Sequence, residues 1–164
     1  MTTTASLATD GYLTHQGEPW WFGGSMFEFL VPSDSTGGQI TVFRYTAPGG
    51  FAPPRHVHTR EDEVFHVPEG HVAFDMDGRR QLAGPGTTVW MPRGVPHGFR
   101  IESPVAVILG LMTPGVRAPL PGPRRPGGGA QASRTGCPAL DVAALVADMT
   151  ARGTEVVGPP MAAA

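Results

Sequence analysis

Apolar residues recur along the chain in short runs that Gly, Pro or charged turns separate. The clearest run is Gln39–Thr46, in which Phe43 and Tyr45 fall on one face and Val42 and Arg44 on the other. A period of two residues is typical of a strand with one face in the core. The pattern therefore predicts a strand over Gln39–Thr46.

Six more runs follow without any helical periodicity between them, and Asp77-Gly78 is typical of a tight turn between two antiparallel strands. The earlier segment Tyr12–Val31 is rich in aromatic residues and broken by glycines, and it predicts one or two strands and a turn. Regular short strands without helices predict an all-β sandwich or barrel. The six runs are Arg55–His58, Glu63–Pro68, His71–Met76, Thr87–Pro92, His97–Ile101 and Ala106–Met112.

The composition changes after Pro114. Residues 117–138 are dense in Pro and Gly, which predicts a linker or an extended arm. The following segment Asp141–Met149 predicts one short helix, which Gly153 can end, before a Val-Val and Gly-Pro-Pro tail. We therefore expect three parts: a β-barrel with N-terminal strands over 1–116, the arm over 117–138, and a C-terminal helix and tail over 139–164.

The composition excludes several classes of protein. Only 16% of the residues are charged while 40% are apolar, which argues against a disordered chain. The net charge of -2 and the lack of a basic stripe argue against nucleic-acid binding. The single cysteine, Cys137, cannot form a disulfide framework, and we find neither a signal peptide nor a membrane span. We expect a soluble cytoplasmic protein that contacts neither nucleic acid nor membrane.

The candidate chemistry lies in two short segments. His56 and His58 are two residues apart on a predicted strand, so both imidazoles point to the same face. Glu63 opens the next strand and can return to meet them, and His97 begins a later strand that can lie beside the first pair. Imidazoles and a carboxylate suit a divalent metal of the iron-to-zinc series.

Other polar residues compete for the same role. Glu61 and Asp62 are rival carboxylates to Glu63, and we favour Glu63 as the ligand with the other two in a solvated turn. His66 has the opposite strand parity from Glu63 and should point away. We also expect His71 on an outer face and His15 outside any site.

These segments resemble a known family. Gly50-x5-His56-x-His58-x4-Glu63-x6-Gly70 resembles the first cupin motif at every position, and Gly86-x5-Pro92-x-Gly94-x2-His97 resembles the second up to its histidine. The second motif normally ends in Asn where this chain has Ile101. That Asn is not a metal ligand in the family, so the difference affects substrate or supporting contacts rather than the metal.

The resemblance implies a double-stranded β-helix, the cupin jelly-roll barrel, with a metal at its mouth. It implies His56, His58, Glu63 and His97 as ligands of one divalent transition metal, iron, nickel, cobalt or manganese, with zinc also possible. Open coordination positions would be left for water, substrate or dioxygen. The layout of Trp21–Thr46, Gly50–Pro114 and a helix ending in Gly158-Pro159-Pro160 also resembles small quercetin dioxygenase-like cupins, in which the ligand Glu also serves as a base. Small cupins often form homodimers, and Trp20 and Trp21 could pack across such an interface.

The strand parities also predict a cavity lining, with ordinary core packing as the equal alternative. An apolar mouth would suit an aromatic or polyketide-like small molecule. Arg44 either anchors a substrate anion or sits in water. We therefore expect a metal-dependent dioxygenase acting on a flavonol-like, phenolic or polyketide-like compound, with a non-redox cyclase or isomerase second, and a metal-bearing or metal-free binding protein without turnover third. The candidate substrate-binding residues are Phe65, Val67, Phe99, Ile101, Phe27, Phe29, Trp90, Met112 and Arg44.

Overall fold

A computed structural model describes residues 11–14, 17, 19–22, 24–116 and 142–163. Cys137, His15 and the predicted arm over 117–138 lie outside these residues. No helix in the described ranges is long and apolar enough to cross a membrane. The elements in chain order are β1 (Pro19–Phe22), β2 (Ser25–Val31), a 3-10 turn (Ser33–Thr36), β3 (Thr41–Pro48), β4 (Pro54–His58), β5 (Asp62–Glu69), β6 (Val72–Met76), β7 (Arg79–Ala83), β8 (Thr87–Met91), β9 (His97–Ile101), β10 (Val105–Thr113), α1 (Val142–Ala151) and β11 (Thr154–Pro160).

The strands form two antiparallel sheets. The six-stranded sheet has the order β1-β2-β3-β10-β5-β8, and the five-stranded sheet has the order β11-β4-β9-β6-β7. The chain crosses repeatedly between the two sheets, so several strands that are neighbours in space, such as β3 and β10 or β4 and β9, are distant in sequence. This is the jelly-roll arrangement that the sequence predicts, with the predicted short helix near its C-terminal end.

The interior between the sheets follows from the alternation of apolar residues. In β3 every second side chain is buried, beginning with Thr41, and β10 shows the same alternation. Gly110 of β10 lies opposite Phe43 of β3, whose ring covers the glycine so closely that an added Cβ would collide with it. The core is markedly aromatic and consists mainly of Trp20, Phe29, Phe43, Tyr45, Phe65, Val67, Val72, Phe74, Met91, Phe99, Ile101, Ile108 and Met112.

The predicted turn at Asp77-Gly78 is present. Both residues have positive φ, 51° and 81°, and the pair Met76↔Arg79 closes a two-residue hairpin between β6 and β7. Positive φ at both central positions is what such a hairpin needs, and Asp and Gly are residues that tolerate it. The bounds of β7 do not follow from the sequence, because its side chains are mostly exposed and give no apolar pattern.

Two expectations about the ends of the chain change. The residues after Gly153 form strand β11, paired antiparallel with β4, rather than a tail. Trp20 and Trp21 are both buried within the single chain, where β1 pairs with β2. The two tryptophans therefore give no support to a homodimer.

Candidate metal centre

Three short strands carry the four predicted ligands. His56 and His58 alternate with half-buried neighbours on β4, so both imidazoles face the interior. His97 is the first residue of β9 and pairs directly with His56 across the five-stranded sheet. Glu63 is the second residue of β5 and comes from the opposite, six-stranded sheet. The site therefore bridges the two sheets of the barrel.

The ligand atoms of these four residues converge. One donor atom from each lies within 4.8 Å of all the others, and all four side chains are buried. Oε2 of Glu63 lies 3.5 Å from Nε2 of His97 and 3.8 Å from Nε2 of His58. Donor atoms that each lie about 2.0–2.2 Å from one ion are themselves roughly 3–4 Å apart. The spacing therefore suits a single transition metal.

Two of the imidazoles are oriented by their own backbone. Nδ1 of His56 lies 2.8 Å from the carbonyl oxygen of Pro54, and Nδ1 of His97 lies 2.9 Å from that of Val95. A carbonyl oxygen only accepts, so each Nδ1 carries the hydrogen and donates it. The lone pair then lies on Nε2, which faces the cluster, and this is the tautomer that a metal requires.

The chemistry of the donors also fits a metal. Nε2 of His97 is buried and has no hydrogen-bond partner. An orphaned acceptor in the interior is costly unless something binds it, and a cation would satisfy it. Three imidazoles and one carboxylate are the ligand types that iron, cobalt, nickel, manganese or zinc accept.

Burial and mutual proximity shift the pKa values of the cluster. Burial, assisted by the neighbouring His97, lowers the pKa of His56 to about 4, so its imidazole is neutral at neutral pH. Burial alone would raise the pKa of Glu63, but the three imidazoles outweigh it and the net shift is downward. Burial likewise opposes the charge on His58, yet Glu61 and Glu63 together raise its pKa. A carboxylate and a neutral His56 are the forms that ligate a metal.

The turn between β4 and β5 is less solvated than predicted. Glu61 is buried, and its Oε2 lies 3.7 Å from Nδ1 of His58 without a hydrogen-bond partner. Asp62 accepts hydrogen bonds from the backbone N–H of Arg93 and from its Nε and Nη2, at 2.9, 3.0 and 2.9 Å. Arg93 lowers the pKa of Asp62 to about 2. Both rivals of Glu63 thus have positions of their own outside the four-residue cluster.

Most predicted lining residues do face the interior. Phe65 and Val67 follow Glu63 on the inner face of β5, and Phe99 and Ile101 follow His97 on β9. Met112 lies opposite Glu63 in the sheet, and Phe29 is also buried. Phe27 is half-buried with its ring 4.1 Å from that of Tyr45.

Arg44 and Trp90 do not join this interior. Arg44 lies on the outer face of β3, where Nε and Nη2 donate to the Glu28 carboxylate at 2.7 and 2.9 Å. Trp90 is 63% exposed on β8, because Met91 is the residue of that pair that points inward. The inward side chain beside Glu63 on β8 is therefore Met91, which is its cross-strand partner. The alternation along β8 does not by itself show which of Trp90 and Met91 faces inward, since both residues are apolar.

The structure also shows a contact to His58 that the local sequence pattern does not predict. Thr154, the first residue of β11, is buried with Oγ1 3.1 Å from Nδ1 of His58. It lies 96 positions from that histidine in sequence, so motif spacing gives no signal for it.

Comparison with known proteins agrees with this geometry. Residues 43–112 match the model of the cupin domain family. The matched segment thus resembles a cupin domain, and it contains all four residues of the cluster that could hold a metal.

Individual relatives are distant. Quercetin 2,3-dioxygenase of Bacillus subtilis is 25% identical over 104 residues, which is 63% of this chain and 31% of that protein. The chain therefore spans about a third of the length of this curated relative. An RmlC-like cupin from Shewanella frigidimarina is 20% identical with a TM-score of 0.52, over 65% of this chain and 88% of that one.

A predicted oxalate decarboxylase from Thermotoga maritima is 16% identical with a TM-score of 0.52, over 54% of this chain and 79% of that one. At such identities the two solved structures establish the shared fold alone. The fold hosts more than one chemistry, so the site must carry the functional assignment.

Proposed function

We propose that this protein is a metal-dependent dioxygenase that acts on a flavonol-like, phenolic or polyketide-like small molecule. The observation that carries the proposal is the convergence of His56, His58, Glu63 and His97 in a buried cluster with ligand spacing. These four residues would hold one divalent iron, nickel, cobalt or manganese ion, or zinc in a misloaded or non-redox protein. A bound redox metal would supply open coordination positions at which substrate and dioxygen meet.

Glu63 is the residue to which we assign proton transfer. Its Oε2 faces the imidazoles of His58 and His97, which leaves Oε1 to accept a proton from a substrate hydroxyl. The lowered pKa of Glu63 keeps it ionised before substrate arrives. A general base must be deprotonated at the working pH, and this environment provides that form.

The aromatic side chains beyond the ligands favour a flat apolar substrate. Phe99 follows His97 on the same face, and its ring centroid lies 5.6 Å from that of Phe65 and 6.4 Å from that of Phe51. The Tyr45 phenol donates to Ser25 Oγ at 2.9 Å, and burial raises its pKa, so it stays neutral. An aromatic, neutral interior suits a phenolic ring better than a sugar.

The first test is the metal content of freshly purified protein, measured by elemental analysis. We expect near-stoichiometric metal in the wild type and its loss in the His56→Ala, His58→Ala double variant. His66→Ala is the matched control, because His66 lies on the outer face of β5 and bonds Thr88 Oγ1 at 2.9 Å. Wild-type protein without metal, even after reconstitution, overturns the proposed site.

The second test is dioxygen consumption with flavonols and other enolisable aromatic compounds. Dioxygen uptake that depends on the loaded metal supports the dioxygenase proposal. Product formation without dioxygen uptake would instead support a non-redox cyclase or isomerase. Binding of the compound without turnover would instead support a binding protein. A Glu63→Gln variant that binds metal but consumes no dioxygen would support the assigned proton acceptor.

A further inference from the structure

His58 is oriented differently from the other two histidines. His56 and His97 each donate Nδ1–H to a carbonyl two residues earlier in the chain, so their orientation is local. Nδ1 of His58 instead faces the Thr154 hydroxyl at 3.1 Å. This partner belongs to β11, which lies outside the segment matched by the cupin family.

The position of Thr154 is fixed from both sides. β11 pairs with β4 in the register Thr154↔His58, Glu155↔Val57 and Val156↔His56. Just before it, the Gly153 carbonyl accepts hydrogen bonds from the backbone N–H and the hydroxyl of Thr59, at 3.0 and 2.6 Å. The buried hydroxyl of Thr154 is therefore held at His58 by strand pairing and by the Thr59–Gly153 hydrogen bonds, none of which uses an imidazole of the cluster.

We propose that Thr154 is a positioning residue for His58, so that the C-terminal α1–β11 segment forms part of the metal centre. The proposal rests on the proposed metal-binding function of His58. The imidazole donates Nδ1–H to the Thr154 oxygen and thereby directs its Nε2 lone pair to the cluster. Partners of this kind set the tautomer and orientation of a ligand histidine.

Glu61 offers His58 a second hydrogen-bond acceptor, which competes with the Thr154 hydroxyl. Its buried carboxylate oxygen, 3.7 Å from the same Nδ1, has no hydrogen-bond partner. Without the hydroxyl, the imidazole can turn to donate to Glu61 instead, which moves Nε2 away from the other donors. The hydroxyl of Thr154 thus selects one of two orientations of His58.

The test is a Co²⁺ titration of metal-free full-length protein, with affinity measured by chelator competition and geometry by the visible absorption spectrum. Thr154→Val keeps the side-chain shape and removes the hydroxyl, and Thr154→Ser restores it. We expect the valine variant to bind roughly 10–100-fold more weakly with an altered spectrum, as for other lost partners of ligand histidines, and the serine variant to behave like the wild type. Thr150→Val is the matched control, because the Thr150 hydroxyl bonds the Val146 carbonyl within α1 at 2.8 Å.

Denaturant unfolding of the metal-free variants separates positioning from folding. A purely structural role would lower the stability of Thr154→Val while leaving affinity and spectrum of the folded fraction unchanged, and that result overturns the proposal. If the wild type binds no Co²⁺, the proposed metal function itself fails. If the wild type and Thr154→Val bind Co²⁺ with equal affinity, only the proposed role of Thr154 is overturned.

Discussion

The guanidinium of Arg93 holds the carboxylate of Asp62 through two parallel hydrogen bonds of 3.0 and 2.9 Å. Asp62 directly precedes Glu63, and Arg93 lies in the turn that leads to His97. The pair therefore ties together the two turns that deliver ligands from opposite sheets. A bidentate arrangement adds geometric constraint as well as attraction.

Replacing Asp62 by Asn should weaken metal binding more than it weakens the fold. The pair lies at the surface, where ion pairs contribute little to stability. The loosened turn should nevertheless lower metal affinity several-fold, measurable by chelator competition. Glu102→Gln is the control, since it removes the Arg80–Glu102 ion pair of 2.6 Å away from the ligands. An equal loss of affinity in both variants would contradict the assigned role of the Asp62–Arg93 pair.

Metal loading should stabilise the whole barrel, because Glu63 and the three histidines come from different sheets. Zinc or cobalt at about 100 times its Kd should raise the unfolding free energy by about 2.7 kcal/mol. For a domain of this size the corresponding rise in Tm is roughly 5–10 °C, seen by scanning calorimetry and reversed by a chelator. His97→Ala should show no such rise, and a rise that persists in this variant would place the ion elsewhere.

Metal-free protein should lose stability in mild acid through His56. Its pKa is lowered to about 4 in the folded protein, whereas the unfolded chain takes up the proton near pH 6.5. The contribution of His56 is therefore complete above about pH 6.5 and is lost as the pH falls towards 4. Between about pH 6.5 and 5 the loss amounts to about 2 kcal/mol.

Denaturant titrations of chelator-treated wild type and His56→Asn should show this loss as a difference in slope against pH. His58 has the opposite sign, because its raised pKa gives stability that is present at low pH and lost as the pH rises through that pKa. Comparison of the two proteins largely removes the contribution of His58 from the measurement. Parallel curves would show that His56 is protonated equally in the folded and unfolded chains.

Gly110→Ala should destabilise the barrel, because the Phe43 ring occupies the space of the added methyl group. Overpacking of this kind costs roughly 1–3 kcal/mol. Gly98→Ala is the matched control, since an added Cβ there has its nearest neighbour at 3.7 Å although the residue adjoins His97. Unfolding by urea should therefore separate the two variants clearly, and similar midpoints would argue against the packing of Phe43 on Gly110.

The sequence allows the fold to be predicted where side chains alternate or where a motif fixes the spacing. The alternation in β3 shows that Phe43 and Tyr45 lie on its buried face, and spacing within two short segments predicts the four residues that the structure brings together. The sequence does not predict the bounds of β7 or the presence of β11, because their exposed or Gly-Pro residues carry no apolar period. Trp90 is the residue of β8 that the sequence wrongly predicts to face inward, because residue type does not reveal which set of alternate positions a strand buries.

The surroundings of the four clustered residues are harder to predict from the sequence than the cluster itself. Glu61 was expected in solvent, but the fold buries it behind His58. Thr154 reaches the same histidine only because β11 pairs with β4. Contacts of this kind depend on strand order, which local sequence does not encode.

The pairing of Thr154 with His58 also bears on the order in which the parts of the site assemble during synthesis and folding. The chain emerges from the ribosome with its N-terminal part first, so all four clustered donors are synthesised before Thr154 exists. Closing a contact across 96 positions is a slow, non-local event compared with forming the β6–β7 hairpin. An ion captured early would meet a histidine still free to turn, and under the proposed role of Thr154 only the formation of β11 would fix the affinity of the centre.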